Sequence, residues 1–191
     1  MASQYIAQTP SAYGFPLLIK GLLESGVTRA PEQEIVSSNQ NRLTYREFVE
    51  RVGRLASGLA SLGVKRGDTV AIMDWDTNRY LECFFAVPMM GAVLHTVNVR
   101  LSAEQILYTI NHAEDDVILI NSEFLSLLQQ IWNRVDAGKK LVLLKDAGKS
   151  AQNSLSFDAE YEGLLAATDP RHDFPEFNEN TRATTFYTRN H

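Results

Sequence analysis

Residues 84–120 read FFAVPMMGAVLHTVNVRLSAEQILYTINHAEDDVILI, which alternates helix, strand, helix and strand, with a Gly-Ala turn at Gly91-Ala92 and a capped helix start. The apolar runs are too short for buried helices. They are long enough for strands covered on both faces, and each is followed by a segment of helical period.

The same alternation continues on both sides. Upstream, Phe48, Val52, Leu55, Leu59 and Leu62 repeat at spacings of four and three residues, while Arg46, Glu50, Arg51 and Arg54 occupy other faces. Thr44 and Glu47 form a capping-box pattern and Gly63 supplies a stop. Strands are expected at Thr69 to Met73, Ala92 to Val97, Val117 to Ile120, Leu141 to Leu144 and Ala183 to Tyr187. Further helices are expected at Thr77 to Met90, Ala103 to His112, Glu123 to Val135 and Asp158 to Ala166, with Asp76 as the N-cap before the first of these. Connections of a dozen residues suit parallel crossovers, so the expected class is α/β, a doubly wound, mainly parallel sheet with helices on both faces. Ahead of it, Pro16 to Thr28 has helical spacing. Glu34 to Ser37 and Arg42 to Leu43 flank the turn-prone Ser38-Asn39-Gln40-Asn41 as a short hairpin.

A chain of 191 residues with 45% hydrophobic and 21% charged residues suits one domain with a real core. Its net charge of -5 gives no electrostatic reason for a nucleic-acid or anionic-membrane partner. PLLIKGLLESG (16–26) is interrupted by Lys20, Gly21 and Glu24, which argues against a signal peptide, and no run reaches the roughly 18 residues of a transmembrane segment. The single cysteine, Cys83, fits a reducing compartment, and a cytoplasmic location is expected.

The stretches LTYREFVERVGRLASGLASLGVKRGDTVAIM (43–73), MDWDTNRYLECFFAVPMMGAVLHTVNVRL (73–101) and RATTFYT (182–188) together resemble the adenylate-forming acyl-CoA synthetases, or AMP-binding enzymes. That resemblance implies a parent enzyme that joins a fatty acid to AMP using ATP and Mg²⁺, then passes the acyl group to coenzyme A. Residues 73–101 are similar to the medium- and long-chain fatty-acid enzymes. Family members are more than twice as long, so the chain corresponds to part of their large AMP-binding domain. Within it the resemblance divides 1–43 (helix and hairpin), 44–167 (alternating layer), 168–182 (linker) and 183–191 (last strand and start of the phosphate loop).

In the family a strand such as ATTFYT runs into a loop of Ser/Thr and Gly that cradles the ATP phosphates. Glycines let the backbone approach the oxygens. Thr188 matches the first hydroxyl of that loop and is the one cofactor-binding position carried over from it. Arg189, Asn190 and His191 do not match the pattern. The resemblance also places His95, Thr96, Asn98 and Arg100 on the coenzyme A side of the site, so Arg100 could meet a coenzyme A phosphate. The alternatives are that Arg100 satisfies a helix end or pairs with a surface acid, and that His95 is a hydrogen-bonded core histidine. No residue is assigned a catalytic or metal-binding role, and this chain alone is expected to be inactive and to bind no cofactor productively.

Other motifs are read more plainly. Gly148-Lys149-Ser150 lacks the earlier glycine of a phosphate loop and is taken as a surface turn. His112, Glu114, Asp115 and Asp116 are taken as a solvated turn, Cys83 as a small buried hydrophobe, and Trp75 as a packing residue. Two readings of the whole follow: an N-terminal fragment of a fatty-acid–CoA ligase, and a short interaction or regulatory module that keeps the scaffold without catalysis. On the fragment reading, an apolar strand edge uncovered beyond Ala183 favours self-association.

Overall fold

The computed structural model describes residues 9–37, 41–146 and 154–188. The Gly148-Lys149-Ser150 turn, the hairpin tip at 38–40 and Arg189 to His191 lie outside them. The described chain runs α1 (Ile19–Arg29), β1 (Glu34–Ser37), β2 (Asn41–Thr44), α2 (Tyr45–Ser61), β3 (Thr69–Met73), α3 (Asn78–Met89), β4 (Val93–Thr96), α4 (Ala103–His112) and β5 (Val117–Asn121). It continues through α5 (Leu125–Gln129), β6 (Lys140–Leu144), β7 (Ala159–Glu160), α6 (Tyr161–Ala166) and β8 (Thr184–Phe186).

β1 and β2 form an antiparallel hairpin that stands apart from the main sheet. The main sheet has six strands in the order β7-β6-β5-β3-β4-β8, and each neighbouring pair is parallel. The expected doubly wound α/β architecture is therefore what the chain adopts. Strand residues alternate between two cores. Val70, Ile72, Leu94, Leu119 and Val142 meet α2, α3 and α6 on one face, whereas Ala71, Ile118, Ile120 and Leu141 meet α4 and α5 on the other. β3 and β5 are buried at every position, which explains why both read as unbroken apolar runs.

The expected capping box of α2 forms, with Thr44 Oγ1 accepting from Glu47 N and Glu47 Oε2 accepting from Thr44 N. Ser102 and Gln105 make the same arrangement at α4. A buried polar cluster joins three helices. Glu82 is fully buried and accepts from Arg51 Nε at 2.7 Å, Asn78 Nδ2 at 2.9 Å and the Tyr161 hydroxyl at 2.6 Å. Every member is paired, so the charge is tolerated inside the core.

The structure departs from expectation at several places. The helix expected from Glu123 to Val135 is broken: a 3₁₀ turn at Ser122–Phe124 leads into the short α5, and a second 3₁₀ turn follows at Trp132–Arg134. Asn121 accepts from Glu123 N at one end, and Asn111 donates to the Arg134 carbonyl at the other, so side chains replace the helical bonds. The helix expected to begin at Asp158 begins at Tyr161. Ala159 and Glu160 pair with β6 as β7, and the Glu160 side chain caps α6 by accepting from Gly163 N. Thr77, not Asp76, caps α3, because the Thr77 hydroxyl accepts from Tyr80 N. After α4, His112, Glu114 and Asp116 are exposed as a solvated turn requires, but Asp115 is not. Asp115 is fully buried, and Asp116 Oδ2 accepts from Thr69 N, tying the start of β5 to β3.

Candidate functional site

Because all six strands run the same way, their carboxyl ends lie along one edge of the sheet, where ligands of open α/β sheets bind. Between β3 and β5 the chain reverses its direction of winding, since β4 lies to one side of β3 and β5 to the other. A buried polar cluster fills that point. Asp74 accepts from the Thr77 hydroxyl at 2.5 Å and from Asn121 Nδ2 at 2.6 Å, joining the ends of β3 and β5. Burial pushes the Asp74 carboxyl above its ordinary range, opposed by those two hydrogen bonds. Arg79 lies 3.9 Å from Asp74 and donates to Asp146 Oδ1 and the Lys145 carbonyl beyond β6. Trp75 packs on Phe124 and donates to Glu123. Sequence reasoning assigned Trp75 to packing but missed the Asp74 cluster, whose partners are distant in the chain. The one local signal was an Asp after an apolar strand with a Thr three residues on.

The two positions carried by the resemblance leave the sheet from neighbouring strands. Thr96 of β4 pairs with Phe186 of β8, so Asn98 to Arg100 and Tyr187 to Thr188 extend from adjacent carboxyl ends. Thr188 is exposed. The described end of β8 offers neither glycine nor lysine, so these residues do not by themselves fit the phosphates of ATP. Arg100 is exposed, its backbone N–H donates to Asn98 Oδ1, and its guanidinium has no ion pair among the described residues. A free guanidinium beside a strand end fits a phosphate. An open cleft of about 450 Å³ is lined by Ser37, Asp76, Thr77, Tyr80, Phe84 and, from the end of β4, Thr96.

His95 is not presented to this edge. It is fully buried, its Nδ1 lies 2.8 Å from Asp115 Oδ2, and its ring meets Tyr187 edge-on. Burial raises the Asp115 carboxyl above its ordinary range, while the bond to His95 pulls it back. The Nε2 atom is buried with no partner among the described residues. His95 is a hydrogen-bonded core histidine. His112 lies outside the pair, with Nδ1 2.8 Å from the Tyr187 hydroxyl. No group of three or more metal-ligating side chains occurs among the described residues. Cys83 is fully buried on α3, and burial pushes its thiol well up, with Glu82 adding to the effect.

The parallel α/β scaffold defines a fold class, and comparison with known proteins supplies the family. Residues 23–188 match the AMP-binding enzyme family, and the chain belongs to that family. It is similar to the 3-methylmercaptopropionyl-CoA ligase of Ruegeria lacuscaerulensis, 32% identical over 91% of this chain and 33% of the relative. It is also similar to the medium-chain-fatty-acid–CoA ligase of Ectopseudomonas oleovorans, 33% identical over 90% of this chain and 32% of that protein. The fold matches the crystal structure of the anthranilate CoA ligase AuaEII in complex with anthranoyl-AMP, with a TM-score of 0.77 at 15% identity, over 93% of this chain and 32% of that one. The chain spans about a third of the length of the curated relatives it matches. Among the described residues no helix is long and apolar enough to cross a membrane.

Proposed function

We propose that this chain is the amino-terminal part of a medium- or long-chain fatty-acid–CoA ligase. The whole protein joins the fatty acid carboxylate to the α-phosphate of ATP with Mg²⁺, releasing pyrophosphate, and then transfers the acyl group to the coenzyme A thiol with release of AMP. The placement of Thr188 and Arg100 at adjacent strand ends, within the matched family region, carries the reading. In it Thr188 opens the phosphate loop and Arg100 contacts a coenzyme A phosphate. The similarity to the medium-chain enzyme and the look of residues 73–101 support the fatty-acid class. The single cysteine fits work in the cytoplasm.

On this reading the 191-residue chain alone forms no acyl-adenylate, because loss of even one preorganised charge-stabilising contact costs about 10²- to 10³-fold in rate. ATP–pyrophosphate exchange with fatty acids of several lengths tests it. Fatty-acid-dependent exchange above the blank overturns the claim of inactivity. A second reading, a non-catalytic module on the same scaffold, is supported by the two closed cores, and sharp two-state unfolding of a monomer favours it.

A further inference from the structure

β7 and β8 are the two outermost strands of the sheet. Between them the chain crosses the full width, five spacings of about 4.8 Å or about 24 Å. Residues 168–182 read as a surface linker in the sequence, and most are exposed, but they are fastened to α2 along the way. Thr168 Oγ1 lies 2.9 Å from the Arg54 carbonyl, inside the helix, and the Arg54 guanidinium returns a bond to the Thr168 carbonyl. Ser57 meets His172 Nδ1 at 3.3 Å, and Phe174 packs against the core. The closest approach is at Gly53, where an added Cβ would lie 1.8 Å from the Pro170 carbonyl oxygen. Any side chain there collides with backbone, which cannot swing aside as a flexible side chain can. Further along, Phe177 lies under the Arg66 guanidinium.

From these contacts we infer that residues 168–182 form a strap whose seating on α2 sets β8 against β4, so that Gly53 and Thr168 are positioning residues for Thr188. Its bearing on ligase chemistry rests on the reading that β8 leads into the phosphate loop. β8 has three residues and, among the described residues, one partner strand, so its own pairing provides little to hold it. The strap supplies the rest by shortening the free chain that leads into it, and loop closure then costs less entropy. The helix and the strap touch neither Thr188 nor Arg100 in any contact described above, and their effect is transmitted through the placement of one strand.

Two neighbouring amides make the test selective. Leu94 N–H donates to Ala183 at the β8 side, whereas Val93 N–H donates to Asp68 on the β3 side. Hydrogen exchange on the 191-residue chain is compared for wild type, Gly53→Ala, Thr168→Val and Thr168→Ser. Losing the strap contact accelerates Leu94 exchange about tenfold in Gly53→Ala and Thr168→Val while Val93 stays near wild type, the scale of one lost hydrogen bond. Thr168→Ser keeps the hydroxyl and restores slow Leu94 exchange. Unchanged Leu94 exchange in Thr168→Val overturns the inference. So does equal acceleration of Leu94 and Val93, which marks general loss of stability. If Gly53→Ala fails to fold, the Thr168 pair still decides. No nucleotide enters the measurement, so failure here leaves the ligase reading standing and failure of the pyrophosphate-exchange test leaves the strap standing.

Discussion

Glu82 shows how a single buried charge can be part of the framework. Its carboxylate collects Arg51, Asn78 and Tyr161 from three helices, and Arg51 also pairs with Glu162. Replacing Glu82 by alanine leaves the Tyr161 hydroxyl and Asn78 amide without their partner and Arg51 with Glu162 alone. We expect a loss of about 3 to 5 kcal/mol in urea unfolding, the cost of breaking a buried pair. A loss near zero would show that water reaches the cluster. Cys83, beside Glu82, gives a pH signature. The folded chain keeps the thiol protonated after the unfolded chain, with an ordinary value of 9.0, has released its proton. Ionisation then favours the unfolded state, so stability falls as pH rises above 9.0, by up to about 1.4 kcal/mol per pH unit. Tyr161, also raised by burial and by Glu82, adds to this above 10.0. Denaturant midpoints measured from pH 8 to 10 should fall less steeply in Cys83→Ala, whatever its stability at neutral pH. In native buffer the wild-type thiol should label slowly, and in denaturant fast.

At the scale of elements, those with strong local signals were legible. The spacing of Phe48, Val52, Leu55 and Leu59 gave α2, and all four are buried. β3 and α4 have the bounds expected of them. What escaped depended on partners far along the chain. β7 is two residues long and exists because β6 lies beside it. Asp115 looked like a turn acid because its partner His95 is twenty residues earlier, on another strand. The same holds for the site: the end of β8 was legible from RATTFYT, while the Asp74–Asn121 link between strand ends was not. Gly91, in the turn between α3 and β4, was legible and is testable. Its φ of +77° suits glycine, and an added Cβ would also sit 3.1 Å from Arg66 Cγ. Gly91→Ala should lower stability by about 1 to 2 kcal/mol, measured as a shift in thermal midpoint. No shift would mean that the turn relaxes freely.

At the scale of the molecule, the two edges of the sheet differ. β8 exposes Phe186, which is 66% accessible, on a strand paired on one side only among the described residues. Such edges recruit further strands. We expect the chain to self-associate with rising concentration and Phe186→Lys to do so less, as read by light scattering. Concentration-independent scattering from the wild type would remove the edge as the cause. The sequence expectation rested on a strand edge left uncovered beyond Ala183, and the exposure of Phe186 supplies a side chain with which to test it.

The sheet order also determines when its parts can meet during synthesis. β4 pairs with β3 across a short separation, but its other neighbour, β8, comes ninety residues after it, with Leu94 opposite Thr184. At a translation rate of about 5 to 20 residues per second, that side of β4 waits about 5 to 20 s for its partner to be made. β5 and β6 are made within that interval and can join β3 before β8 appears, while the nascent chain presents a half-finished edge at β4. Among the strands of the main sheet, the free side of β4 waits longest for its partner.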